Sequence, residues 1–179
     1  IYVADGYYNH RIIVFDSETG AFKRMWGAYG KPPTDERMGA YNPDAPPSQQ
    51  FANPVHCVKI AKDGLIYVCD RSNDRIQVFR KDGTFVKEFF VAKETLQQGS
   101  VWDLDLWPDA QQTFLMNADG ANNEVRTLVR ETALGAARAA GASTCIPAGW
   151  WAGTGARWAA WPPSSCSRWA SAGAWGCPA

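Results

Sequence analysis

Short runs of alternating apolar and polar residues follow one another along the first 128 positions of the chain. Near the middle of this region the alternation predicts four strands, over residues 55–61, 65–70, 75–80 and 84–90. Asp-Gly pairs at 63–64 and 82–83 fall between the first two strands and between the last two. Because glycine tolerates positive φ and aspartate can satisfy turn amides, both pairs predict tight hairpin turns.

The same pattern recurs along the chain. Tyr-Val-Ala-Asp at residues 2–5 returns as Tyr-Val-Cys-Asp at 67–70, and Asn-His-Arg-Ile at 9–12 returns as Asn-Asp-Arg-Ile at 73–76. A weaker third copy, Phe-Leu-Met-Asn at 114–117, places Asn117 at the aspartate's position. Self-similarity of this kind predicts stacked or radially arranged units.

Four antiparallel strands in about 40 residues are typical of one β-propeller blade. Residues 1–30 then supply three strands of an earlier blade, and residues 101–128 supply three strands of a later one. The predicted fold is therefore all-β, with about two and a half blades, too few to close a ring. Ile1 is not methionine and lies inside an apolar run, so we expect the chain to be a piece of a longer protein.

Composition divides the chain at about residue 128. Residues 1–128 carry a net charge of −3, and residues 129–179 a net charge of +3 with abundant Ala, Gly and Trp. We interpret residues 129–179 as an irregular low-complexity tail, disordered or translated out of frame after a slip near residues 129–134. A genuine low-complexity extension remains the alternative.

The proline-rich connection of residues 31–50 separates the first two units. It is either a mobile surface connection or a functional loop at the mouth of the propeller.

The repeated motif, followed by Phe-Ala-Asn-Pro at residues 51–54, resembles the NHL repeat. That family builds six-bladed β-propellers, so the resemblance implies that fold for residues 1–128.

Cys57 and Cys69 flank the predicted turn at residues 62–64 symmetrically, which would place them opposite each other in a hairpin. We expect buried free thiols, with a cross-strand disulfide as the alternative.

Polar groups at the entrances of first strands converge on a propeller's central channel. His56 opens such a strand, Tyr7 lies in the loop after Asp5, and Arg71 directly follows Asp70. These three positions resemble the metal-ligand histidine, the tyrosine and the arginine of the peptidyl-α-hydroxyglycine α-amidating lyases, an enzymatic branch of NHL propellers.

The resemblance implies a zinc-dependent lyase that yields a peptide amide and glyoxylate. His56 would bind zinc, which holds the substrate hydroxyl, while Tyr7 would act as base and Arg71 would grip the terminal carboxylate. About three protein ligands are needed and the chain has 2 His, so we expect this chain alone to be inactive. The alternative is a non-catalytic propeller that binds a protein or other ligand, in which Tyr7 and Arg71 are structural.

Net charge and hydropathy limit the classes of partner that the chain is expected to bind. A net charge of zero argues against nucleic acid, and no apolar run reaches the ~18 residues of a membrane span. We expect a peptide or small molecule at the channel, and an extracytoplasmic or secreted location suits the parent protein.

Overall fold

The computed structural model describes residues 1–130 and the backbone of residues 139–144, which together form eleven β-strands. The strands are β1 (Tyr2–Asp5), β2 (Arg11–Phe15), β3 (Phe22–Trp26), β4 (Val55–Ile60), β5 (Ile66–Asp70), β6 (Arg75–Phe79), β7 (Phe85–Phe90), β8 (Asp103–Leu106), β9 (Phe114–Asp119), β10 (Glu124–Val129) and β11 (Ala139–Thr144). Helical structure in the described residues is limited to two 3₁₀ turns, Ala28–Gly30 and Arg71–Asn73.

Three antiparallel meanders make up the described fold. The first sheet has the order β1-β2-β3, the second β4-β5-β6-β7 and the third β8-β9-β10-β11. Strand β4 lies against β8 of the third sheet and against β1 of the first. Successive sheets thus meet along their leading strands, which is the arrangement of neighbouring blades in a partial β-propeller.

The middle sheet is buried on both of its faces. Every residue of β5 and of β6 is buried, whereas β2 alternates between buried and half-buried positions. Ile66 and Val68 face a core shared with the first sheet, which includes Trp26. Tyr67 and Cys69 face a second core, shared with the third sheet. Because successive side chains of a strand point to opposite faces, one apolar strand joins both cores.

The strands predicted for the middle unit are confirmed to within two residues at each end. Gly64 and Gly83 adopt φ of +84° and +94° in the two turns, as the Asp-Gly pairs predict.

A buried ion pair holds the end of the β5–β6 hairpin. Arg75 Nε lies 2.7 Å from Asp70 Oδ2, and both side chains are wholly buried. Asp70 also accepts hydrogen bonds from Asn73 Nδ2 and from the amide of Ala52. Arg75 donates further to the Gln50 carbonyl at 2.8 Å, so the cluster anchors the connection that enters the sheet.

Equivalent clusters stand in the outer sheets. Arg11 Nε donates to Asp5 at 2.8 Å in the first sheet, and Arg126 Nε donates to Asp119 at 3.0 Å in the third. The predicted alignment of Asn117 with the repeated aspartate was wrong, because Asp119 ends β9 as Asp5 ends β1. Asn117 is instead buried and donates to the Ser100 carbonyl.

The third sheet continues beyond residue 128. Strand β10 ends at Val129, and Arg130 Nε donates to the Tyr67 hydroxyl at 2.8 Å while its guanidinium also pairs with Asp63. Strand β11 pairs with β10 and supplies a fourth strand where the sequence predicted three. The rest of the predicted tail, 131–138 and 145–179, lies outside the described residues.

Cys57 and Cys69 form a disulfide, so the expectation of free thiols was wrong. The two residues are direct partners in the β4–β5 register, with Cα atoms 4.8 Å apart. That separation lies within the range that a disulfide bridges.

Replacing Arg75 with methionine tests how far the fold depends on the buried pair. The Arg75→Met change leaves Asp70 buried without its cation, so the free energy of unfolding is expected to fall by about 3–5 kcal/mol. The control is Arg11→Met, because the equivalent pair is partly exposed at 33% and 26% and should contribute about 1 kcal/mol or less. Urea unfolding followed by circular dichroism measures both, and equal losses would contradict the assignment.

Asp74 gives the fold a predicted pH dependence. Its side chain is buried, Oδ1 accepts the Ser100 amide at 2.6 Å, and Oδ2 has no partner among the described residues. Burial raises the pKa of Asp74 to about 7, with only partial compensation from the Ser100 hydrogen bonds. The folded chain therefore binds a proton that the unfolded chain has released, and stability should fall as pH rises from about 4 to 7.

The Asp74→Asn variant should remove this pH dependence. Asparagine keeps the acceptor and tolerates the residue's φ of +52°. Between pH 4 and 8 the free energy of unfolding should vary less than in the parent chain, and at pH 8 it should be higher. The same slope in both chains would show that Asp74 is not its source.

Candidate functional site

The structure brings Tyr7 and His56 together where the first sheet meets the second. Their ring centroids lie 6.0 Å apart, and the Tyr7 side chain is 64% exposed. Gly6 makes this approach feasible, because a Cβ at that position would lie 2.1 Å from the backbone of Val55. Glycine therefore lets the loop after β1 rest on the first residue of β4.

His56 lies at an irregularity in its strand. Val55 pairs with Asp70 and Cys57 pairs with Cys69. Between these two pairs β4 advances by two residues while β5 advances by one. His56 is the extra residue of this bulge, and a bulge redirects a side chain without ending the pairing.

The hydrogen bonding of His56 determines its tautomer. Its Nδ1 contacts the backbone carbonyl oxygen of Trp102, which can only accept. Neutral His56 therefore carries its proton on Nδ1 and keeps a lone pair on Nε2. A neutral imidazole held in this way is the form that binds metal ions.

Arg71 joins the site through Trp102. Its guanidinium carbon lies 4.8 Å from the centroid of the Trp102 ring, whose own centroid is 6.2 Å from that of His56. Arg71 Nη2 donates to Gln98 Oε1 at 2.5 Å, while Arg71 Nε is buried with no hydrogen-bond partner among the described residues. The stack on Trp102 and the hydrogen bond to Gln98 thus orient the cation.

Trp102 is the residue that sequence reasoning missed. It immediately precedes β8, where it contacts both His56 and Arg71, and its Nε1 donates to the Gly99 carbonyl at 2.8 Å. By strand register Trp102 holds the position in the third sheet that His56 holds in the second, because Asp103 pairs with Ala118 as Cys57 pairs with Cys69. Its place at the entrance of a first strand is the signal by which the sequence could have identified it.

One group of potential metal ligands lies beside the site. The Sγ atoms of Cys57 and Cys69 and a carboxylate oxygen of Asp103 lie within 4.8 Å of one another. The two sulfurs are bonded to each other, so neither is a thiolate ligand in this state. Within the described chain no such group of three includes His56, so the residues present supply one ligand toward a histidine zinc site.

One segment of the middle sheet is similar to a known repeat family. Residues 55–79, which run from β4 through β6, match the NHL repeat. The predicted resemblance is confirmed for this segment.

The curated relatives are amidating enzymes. The chain is 39% identical over 88 residues to peptidyl-glycine alpha-amidating monooxygenase B of Xenopus laevis, a match that covers 49% of the chain and 9% of the relative. It is 35% identical over 89 residues to the peptidyl-glycine alpha-amidating monooxygenase of Mus musculus, covering 50% and 8%. The matched segment is thus a small part of each relative. Separately, the described residues include no helix long and apolar enough to cross a bilayer.

The histidine tautomers can be measured directly, because the chain has 2 His. His10 Nδ1 contacts the Phe51 carbonyl oxygen at 2.8 Å, so it serves as an internal reference for His56. Both rings are expected as the Nδ1–H tautomer in long-range ¹H–¹⁵N spectra recorded where the spectra show that both are neutral. An Nε2–H tautomer at His56 would contradict the arrangement.

Proposed function

We propose that this chain is the part of an NHL-propeller lyase that contributes Tyr7, His56 and Arg71 to a site for peptidyl-α-hydroxyglycine. One observation carries the proposal: Tyr7 lies against His56, and both His56 and Arg71 lie against Trp102. The printed names of the relatives, which are peptidyl-glycine amidating enzymes, support the same substrate class.

Each residue has a role that suits its environment. Tyr7 is exposed, so its phenolic oxygen is open to a substrate, and as the general base Tyr7 would take the hydroxyl proton of the substrate. As that proton leaves, the bond from the hydroxyl-bearing carbon to the amide nitrogen breaks and a carbonyl forms. The nitrogen gains a proton to give the peptide amide, and the other product is glyoxylate. Arg71 would hold the carboxylate through its paired donors.

Zinc belongs to the proposal. His56 would contribute one ligand through Nε2, and the other ligands would come from outside the described residues. When bound, the metal would act as a Lewis acid toward the substrate oxygen.

Tyr7→Phe tests the proposed base in an intact homologous propeller with counterparts of the three residues. We expect kcat for glyoxylate release to fall by about 10²–10⁴-fold, since general base catalysis contributes this much. Tyr8→Phe is the matched control, because Tyr8 is the next residue and 87% exposed. A Tyr7→Phe enzyme as active as the Tyr8→Phe enzyme would refute the role of Tyr7.

The metal ligand is tested by His56→Ala in the same homologue, with His10→Ala as control. His56→Ala should lower both bound zinc and glyoxylate release at saturating substrate, while His10→Ala should leave bound zinc and the release rate at saturating substrate near the parent values. The chain described here should neither release glyoxylate nor bind zinc stoichiometrically at neutral pH. Stoichiometric binding by this chain would contradict the one-ligand interpretation.

A ligand-binding propeller without turnover is the second candidate. It is favoured by the contacts of Arg71 with Trp102 and Gln98, which are those of a structural residue. An intact homologue that binds peptidyl-α-hydroxyglycine but releases no glyoxylate, with zinc supplied, would support this candidate over the lyase.

The disulfide indicates the kind of cellular compartment in which the parent protein would function. Disulfides persist in oxidising compartments, so the Cys57–Cys69 bond supports an extracytoplasmic setting for the parent protein.

A further inference from the structure

The connection of residues 31–50 is tied to the fold at both ends and at its middle. Lys31 Nζ donates to Gln49 Oε1 at 2.7 Å, which closes the base of the loop. Tyr41 OH donates to the Lys93 carbonyl at 2.8 Å, which fastens the loop to the segment after β7. Burial raises the pKa of Tyr41 to about 12, so this donor stays protonated at neutral pH. The loop is therefore a strap across the second sheet's end.

A groove of about 660 Å³ lies beneath this strap. Its lining includes Tyr41 from the strap and Leu96, which is 55% exposed. Asn53 and Ser72 add amide and hydroxyl groups to the lining. The volume lies within the usual range for ligand sites, and mixed apolar and hydrogen-bonding walls suit a peptide.

The groove begins where the candidate site ends. Asn53 Oδ1 accepts the amide of Tyr8 at 3.4 Å, and Ser72 Oγ donates to the Asn53 carbonyl at 3.3 Å. Tyr8 directly follows Tyr7, and Ser72 directly follows Arg71. A chain that contacts Asn53 and Ser72 would thus lie next to segments that adjoin Tyr7 and Arg71.

The ionisable groups of the groove favour an anion. Arg37 lines it from the strap and His10 from the end of the first sheet. Among the described residues that line the groove, none carries a carboxylate. An acidic side chain placed there would meet an arginine without facing a like charge in the lining.

We propose that this groove binds an extended peptide with an acidic side chain that pairs with Arg37. The peptide backbone uses Asn53 and Ser72, and its apolar atoms pack on Tyr41 and Leu96. Only the direction of the peptide, with its carboxyl end toward Arg71, rests on the proposed function. Binding in the groove does not require catalysis.

The test is a fluorescence-anisotropy titration of the full chain with three labelled hexapeptides. They share an alanine–glycine background and differ in carrying two Glu, two Gln or two Lys. The Glu peptide should bind about tenfold more tightly than the Gln peptide, as expected for a charge-assisted hydrogen bond, and the Lys peptide should bind most weakly. Equal affinity for all three peptides would overturn the proposal.

Charge reversal locates the contact. Arg37→Glu should remove the preference for Glu over Gln, whereas Arg80→Glu, the same change in the exposed β6–β7 turn, should retain it. Arg37→Gln is a milder second variant that should give an intermediate loss. A preference lost equally in Arg37→Glu and Arg80→Glu would show a general charge effect and overturn the groove assignment.

Two further variants separate this proposal from the lyase. Tyr7→Phe and His56→Ala should leave the affinity for the Glu peptide within about twofold, since neither residue lines the groove. If an intact homologue binds the Glu peptide but releases no glyoxylate, the lyase proposal fails and the groove proposal stands. Loss of the Glu preference in these variants would mean that the peptide binds at the site and not in the groove.

Discussion

The buried ion pair of Asp70 and Arg75 is the interaction on which the rest of the described structure depends. Burying two opposite charges away from water destabilises a fold unless their remaining donors and acceptors also form hydrogen bonds. The surrounding chain meets that requirement with Asn73, with the Ala52 amide and with the Gln50 carbonyl. The pair therefore fixes the hairpin end and the entry of the interblade connection together. His56 and Arg71 lie within a few residues of these anchor points, so the site inherits its geometry from the pair.

Repetition explains why so much of the fold could be predicted. Gly64 and Gly83 predict turns because few other residues adopt positive φ angles. The apolar runs between these turns predict β5 and β6. The third copy was misaligned because its apolar residues match in more than one register. The position of Asp119 is fixed by its contact with Arg126, which spacing along the chain does not encode. Free thiols were wrongly preferred to the disulfide because residue spacing indicates proximity but not oxidation state.

Only part of the candidate site could be predicted from the sequence, because some of its contacts form between different sheets. His56 and Arg71 sit within the repeated motif, where a departure from the pattern or a fixed neighbour draws notice. Trp102 belongs to the third sheet and reaches both residues only after the sheets have packed. The bulge that redirects His56 is likewise a property of the β4–β5 pairing. Such features arise from contacts between units and not from the units themselves.

The close approach of Gly6 to Val55 has a thermodynamic consequence. Tyr7 belongs to one sheet and His56 to the next, and the contact at Gly6 sets the separation between them. A ligand that touches both rings binds the docked arrangement of the two sheets and not the separated one. By mass action, such a ligand strengthens the association of the sheets by the same free energy that docking contributes to its affinity. Occupancy of the site and cohesion of neighbouring blades are therefore linked quantities in this protein.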